Sequence, residues 1–225
     1  MIRAFRSPRF LLLAFGLMGC AALILVRGWY SQDLRFRFLA WNLILAVIPA
    51  LAAAAVRHEA ERGARVSAIA WGAIWLLFLP NAPYLITDLV HLVPRPPVPY
   101  WFDIALFSSF AGAGVLAAFS SFQDVQHVVA RRFGWAASWL VLALAAFASG
   151  FGIYLGRMQR WNSWDVLVQP MDLLRVVAER LLAPWHHPRA VAVTTLYGAV
   201  LLFGFVAVRI IMAPRTRAAR ETPEG

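Results

Sequence analysis

Lysine is absent from this 225-residue chain, and cysteine occurs once, as Cys20. Acidic residues number only 11, and charged residues of both signs make up 14% of the chain, where a soluble domain carries about a quarter. A single cysteine excludes a secreted scaffold built on disulfides. Scarce charge, 61% apolar residues and a mean hydropathy of +0.67 exclude a disordered tail protein and a cytosolic enzyme. Charge is also missing from several long stretches at once. A soluble core of this size cannot hide them; a bilayer can.

The net charge of +10 rests on 21 arginines. Guanidinium-only usage invites a phosphate-recognition reading, because arginine offers a planar donor fork. A codon bias accounts for it more simply. Nucleic acid is not the expected partner, since that footprint needs a basic face on a soluble module. Here Arg3, Arg6, Arg9 and Arg209, Arg215, Arg217, Arg220 flank the outermost apolar runs, as anchors at a membrane surface do. The start imitates a signal peptide, and Leu17-Met18-Gly19-Cys20 imitates a lipoprotein processing box. However, the apolar stretch runs on past Cys20 to Val26, beyond the usual length of a cleavable segment, so an uncleaved first span is expected.

Six uncharged runs stand out: 10–26, 38–56, 66–86, 104–122, 133–155 and 190–208. A helix needs about 20 residues to cross the hydrocarbon, and none of these runs alternates as a barrel strand would. The fold expected is all-α: a single polytopic transmembrane bundle of about six spans covering 1–225. An interfacial amphipathic helix is expected at 170–182, opened by Pro170 and ended by Pro184. Twelve arginines fall on the side of the termini and nine on the other. That bias favours cytoplasmic termini. Parity is the firmer statement. With six spans, the loops after the third and fifth share one side.

Two stretches carry unusual chemistry. In Leu79–Leu92 (LPNAPYLITDLVHL) two prolines bracket Asn81, and a break there must face protein or a wet cavity. Asn81 is placed to cap a new half-helix, with Tyr84, Asp88 and His91 following along nearly one face. The second stretch is Gly150–Asp165 (GFGIYLGRMQRWNSWD). Gly152 and Gly156 allow close helix approach, and Arg157, Arg160, Asn162 and Asp165 form a dense polar set. The plain alternatives are a proline kink reaching water and snorkelling anchors. Parity nonetheless puts both stretches, Asp103 and Asn42 on one side. An ion pair from Arg157 or Arg160 to one of the carboxylates follows from the cost of unpaired charge. Asp88 and His91, with Asp103, have ligand chemistry, yet no HExxH or cysteine cluster supports them, so neither metal nor cofactor is expected.

WNLILAVIP, WLLFLPNAPYLITDLVHL, Trp101-Phe102-Asp103 and GFGIYLGRMQRWNSWD, in this order among six apolar runs, resemble the bacterial integral-membrane family catalogued as domain of unknown function 1361. The resemblance implies a multi-pass inner-membrane protein and supplies no activity. Three functional readings stay open. The first is binding or transport of an anionic headgroup or small anion, drawn by Arg157, Arg160 and the Asn81 helix start. The second is a structural or assembly role with the bilayer as partner. The third is an enzyme on a lipid-linked substrate, with His91 as base beside Asp88 or Asp103.

Overall fold

The computed structural model describes residues 8–212, and these are helical throughout apart from short connections. Six segments are long and apolar enough to cross a membrane. They are α1 (Pro8–Ser31), α2 (Arg37–Glu61), the broken pair α3 (Arg65–Phe78) and α4 (Asn81–Thr87), α5 (Tyr100–Phe133), α6 (Trp135–Gln159) and α9 (Pro188–Ile211). Between α6 and α9 lie the single turn α7 (Asp165–Val168) and α8 (Pro170–Leu182). Connections 32–36, 92–99 and 160–187 gather at one end, the loop end. The turns at 62–64 and 134 lie at the opposite end, with the start of α1 and the end of α9.

The helices overrun the apolar runs where a charge finds a partner. α1 continues past Val26 to Ser31, so Arg27 is not a loop anchor but a buried side chain within the helix. α5 is the axis of the bundle and, at 34 residues, is about 50 Å long. It packs against α1, α2, α4 and α6. Phe107, Phe110 and Phe122 fill the middle, with Leu39, Leu79 and Leu142 beside them. Cys20 is buried among these apolar groups as a small hydrophobe. Many large apolar side chains, such as Phe15, Leu140 and Phe203, point outward. Lipid is their natural solvent. The 32–36 connection is held by Asp33, which accepts the Arg35 backbone N–H at 2.8 Å and thereby keeps its carboxyl below the usual range.

Pro49 sits inside α2 without breaking it. Pro80 and Pro83 do break the third span. Neither supplies a backbone donor, and the ladder tightens at one point: the Ala82 N–H bonds three residues back to the Leu79 carbonyl, before the ordinary four-residue bond resumes from the Tyr84 N–H to the Pro80 carbonyl. The span then ends in a 3-10 turn, Asp88–His91. Two glycines of α6 accommodate the break. A Cβ on Gly152 would strike the Pro80 ring, and one on Gly156 would press on the Tyr84 ring at 3.1 Å. The G-x-x-x-G face therefore seats the broken span. A second close approach, Gly150 against Thr194 and Gly198, joins α6 to α9.

Gly152→Ala is expected to lower the stability of the detergent-solubilised protein by about 1–3 kcal/mol, because a rigid proline ring cannot yield. Gly112→Ala, whose added carbon meets nothing within 4 Å, should leave thermal unfolding unchanged or slightly raise it.

Candidate functional site

The two stretches meet at the loop end. Arg157, on the last turn of α6, reaches across to the end of α4. Its Nη1 donates to Asp88 Oδ1 and to the Tyr84 hydroxyl, both at 3.3 Å, and its Nη2 donates to the Thr87 carbonyl. The second oxygen of Asp88 accepts from Asn42 Nδ2 of α2 at 2.8 Å. Asp88 is fully buried, while Arg157 keeps about a fifth of its side chain exposed. Three helices are thus joined through one carboxylate. The guanidinium spends most of its donors inside the protein, and this fixes its plane.

Asn81 does not cap the half-helix; the cap position is Pro80, and Asn81 is the first helical residue. Its amide turns backward. Nδ2 donates to the Phe78 carbonyl and to Ser163 Oγ, both at 3.0 Å, and Ser163 in turn donates to the Leu77 carbonyl at 3.3 Å. Phe78 is the carbonyl left over when Ala82 shifts its bond to Leu79. The polar side chains near the prolines therefore satisfy backbone groups that lipid would leave bare.

Next to this junction is a cavity of about 320 Å³, bounded by α2, α3, α4, α6, the 160–164 connection and α8. Asn42, Asn81, Tyr84 and Asn162 line it, together with the indoles of Trp41, Trp161 and Trp164. Trp41 and Trp164 touch edge to face at 6.2 Å. Leu45, Leu76, Phe151 and Leu155 supply apolar wall, and Leu173 and Val177 of α8 cover it. α8 has a second apolar face, with Met171, Leu174, Leu181 and Leu182 60–76% exposed. No α8 residue is buried. Arg180 tethers the helix to Gln159 at 3.4 Å.

The remaining candidates lie apart from that cavity or turn elsewhere. Asp103 belongs to a separate ion pair: Arg27 Nε donates to its Oδ1 at 2.9 Å, with both side chains buried. Arg27 also covers the Phe36 ring at 3.9 Å, and Arg95 covers the same ring at 5.2 Å. His91 is exposed, packs edge-on against Phe38, and makes no hydrogen bond to Asp88 or Asp103. Asp165 accepts the Asn162 backbone N–H at 2.7 Å and shapes the turn into α7. Arg160 takes the left-handed conformation that ends α6, and its exposed side chain has no ion pair among the described residues. Among the described residues no cluster of His, Cys, Asp and Glu could hold a metal ion.

Sequence reasoning passed over Arg27 and a third network at the opposite end. There the buried Asp124 of α5 accepts from Arg9 of α1 at 3.1 Å and from Arg57 of α2 at 3.2 Å. A signal existed for the first. Arg27 precedes Gly28-Trp29-Tyr30, an apolar continuation of its span, and parity puts it beside Asp103.

Six spanning helices, one of them broken, with buried ion pairs at both ends, define a multi-pass helical membrane protein. The chain belongs to the family of unknown function DUF1361, whose model matches residues 41–206. No curated protein and no solved structure matches it.

Arg27→Leu leaves the Asp103 carboxylate buried without its cation and should cost about 3–5 kcal/mol in thermal or denaturant unfolding. Adding Asp103→Leu should recover most of that loss. A double variant as unstable as the single one would show that Arg27 acts through packing alone.

Proposed function

We propose that this membrane protein binds the polar head of an amphiphile, such as a lipid or lipid-linked molecule, in the cavity beside the Asp88–Arg157 pair. The observation that carries this reading is the cavity's chemistry. The amide oxygens of Asn42, Asn81 and Asn162 and the indole N–H groups of Trp41, Trp161 and Trp164 have no protein hydrogen-bond partner among the described residues. Free acceptors and free donors side by side suit a hydroxyl- or amide-bearing head. The apolar wall and the exposed face of α8 suit its chain. Arg157 positions Tyr84 directly and Asn42 by holding Asp88.

The reading puts the protein in a bacterial inner membrane, as the family resemblance implies, with both termini cytoplasmic, following the arginine bias. The cavity then opens at the outer boundary. A structural role without ligand is the second reading, and one observation favours it: Arg27 and Arg157, the cations in the core at the loop end, are both already paired with aspartates.

Mass spectrometry of amphiphiles carried by gently purified protein separates the two. The binding reading predicts one species with a hydroxyl-, amide- or phosphate-bearing head, enriched over bulk lipid at about one per chain. Ala148 also lines the cavity, and Ala148→Phe, which adds a ring there, should abolish the enrichment without shifting thermal unfolding. Identical, bulk-like lipid profiles in both proteins would leave the structural role.

A further inference from the structure

The opposite end of the bundle holds a larger cavity, about 750 Å³, between the end of α2, the start of α3 and the last turns of α5. Its charged lining is lopsided. Arg65, Arg131 and Arg132 face it, with His127 one turn deeper. None of the three arginines makes an ion pair among the described residues. The single acid in the lining, Glu61, already accepts Arg57 Nε at 3.0 Å. Arg62, from the α2–α3 turn, points away to Glu59 at 3.9 Å. The rest of the wall is apolar, with Ile69 and Phe133 72% and 69% exposed.

This differs from the loop end, where the core arginines are spent on aspartates. Three guanidiniums with no ion pair among the described residues stand at the boundary end of α3 and α5, Arg132 lying 5.4 Å over the Phe133 ring, and from them Ala68, Ile69 and Val128 lead toward the middle of the bundle. Guanidinium pairs with phosphate through two parallel hydrogen bonds. A basic pocket between spans at the membrane surface matches an anionic headgroup in charge, and the apolar wall matches the acyl chain behind it. A zwitterionic head would bring its own ammonium against three cations.

We infer that the groove formed by α2, α3 and α5 is a binding site for one anionic glycerophospholipid, its phosphate on Arg65, Arg131 and Arg132 and an acyl chain along Ala68, Ile69 and Val128. It is independent of the cavity at the loop end. The site ties α5 to the α2–α3 turn through a molecule of the bilayer.

The test is native mass spectrometry of the full chain in phosphatidylcholine nanodiscs titrated with phosphatidylglycerol. Wild type should retain phosphatidylglycerol at least tenfold in preference to phosphatidylcholine. The triple variant Arg65→Gln, Arg131→Gln, Arg132→Gln should lose roughly that factor. Ala68→Phe, which fills the groove and keeps every arginine, should lose it too. Arg175→Gln, an exposed arginine at the loop end, should not. The loss should be the same in an Ala148→Phe background, so the two sites fail separately. Equal retention by wild type and triple variant would overturn the assignment, as would equal loss in Arg175→Gln. Displacement by millimolar inorganic phosphate would identify a free-anion site instead. A gain in retention on deleting residues 213–225 would make that segment the occupant.

Discussion

One carboxylate holds the loop end together. Asp88 lies at the end of a span that two prolines have broken, where a helix has little backbone bonding of its own to hold it in place. It is fixed instead from two sides, by Asn42 of α2 and Arg157 of α6. A buried charge in a membrane protein is costly unless paired and hydrogen-bonded, so these contacts are conditions for the fold. The Thr87 carbonyl and Tyr84 hydroxyl, both held by the same guanidinium, place the cavity wall. Gly152 and Gly156 let α6 come close enough for that reach.

The ends of the bundle use arginine differently. At the loop end Arg27 and Arg157 are drawn into the protein and neutralised by Asp103 and Asp88. This leaves a cavity lined by uncharged amides, a phenol and indoles. At the other end Arg9 and Arg57 are bound to Asp124, yet Arg65, Arg131 and Arg132 are left at a groove with one acid that is already engaged. The +10 net charge is thus not spread as a uniform anchoring belt. Part of it is internal structure, and part stands without an ion pair among the described residues.

Much of this was legible in the residues. Six uncharged runs of spanning length define the bundle, and counting crossings puts Asn42, Asp88 and Arg157 at one end before any coordinate is known. The pairing of Arg157 with a carboxylate follows from the cost of leaving either alone. What escaped has definite physical causes. Arg27 looked like the end of a span because charge normally marks the boundary; a partner on another helix let the span continue past it to Ser31. Asn81 looked like a helix cap, but the prolines left a carbonyl rather than an N–H in need, and its amide turned to the carbonyl. Asp103 shared the right side with Asp88 but took a different partner, since parity fixes an end of the bundle and not a neighbour. Asp124 was hidden by its position just beyond the fourth apolar run.

The central claim is that Asp88 and Arg157 stabilise the protein as a pair. A double-mutant cycle of Asp88→Asn, Arg157→Gln and the combined variant, read by unfolding in detergent, measures their coupling directly. The account predicts single variants that are each strongly destabilised and a combined variant well short of their sum, with a coupling of about 2 kcal/mol or more. Losses that add to within about 0.5 kcal/mol would contradict it.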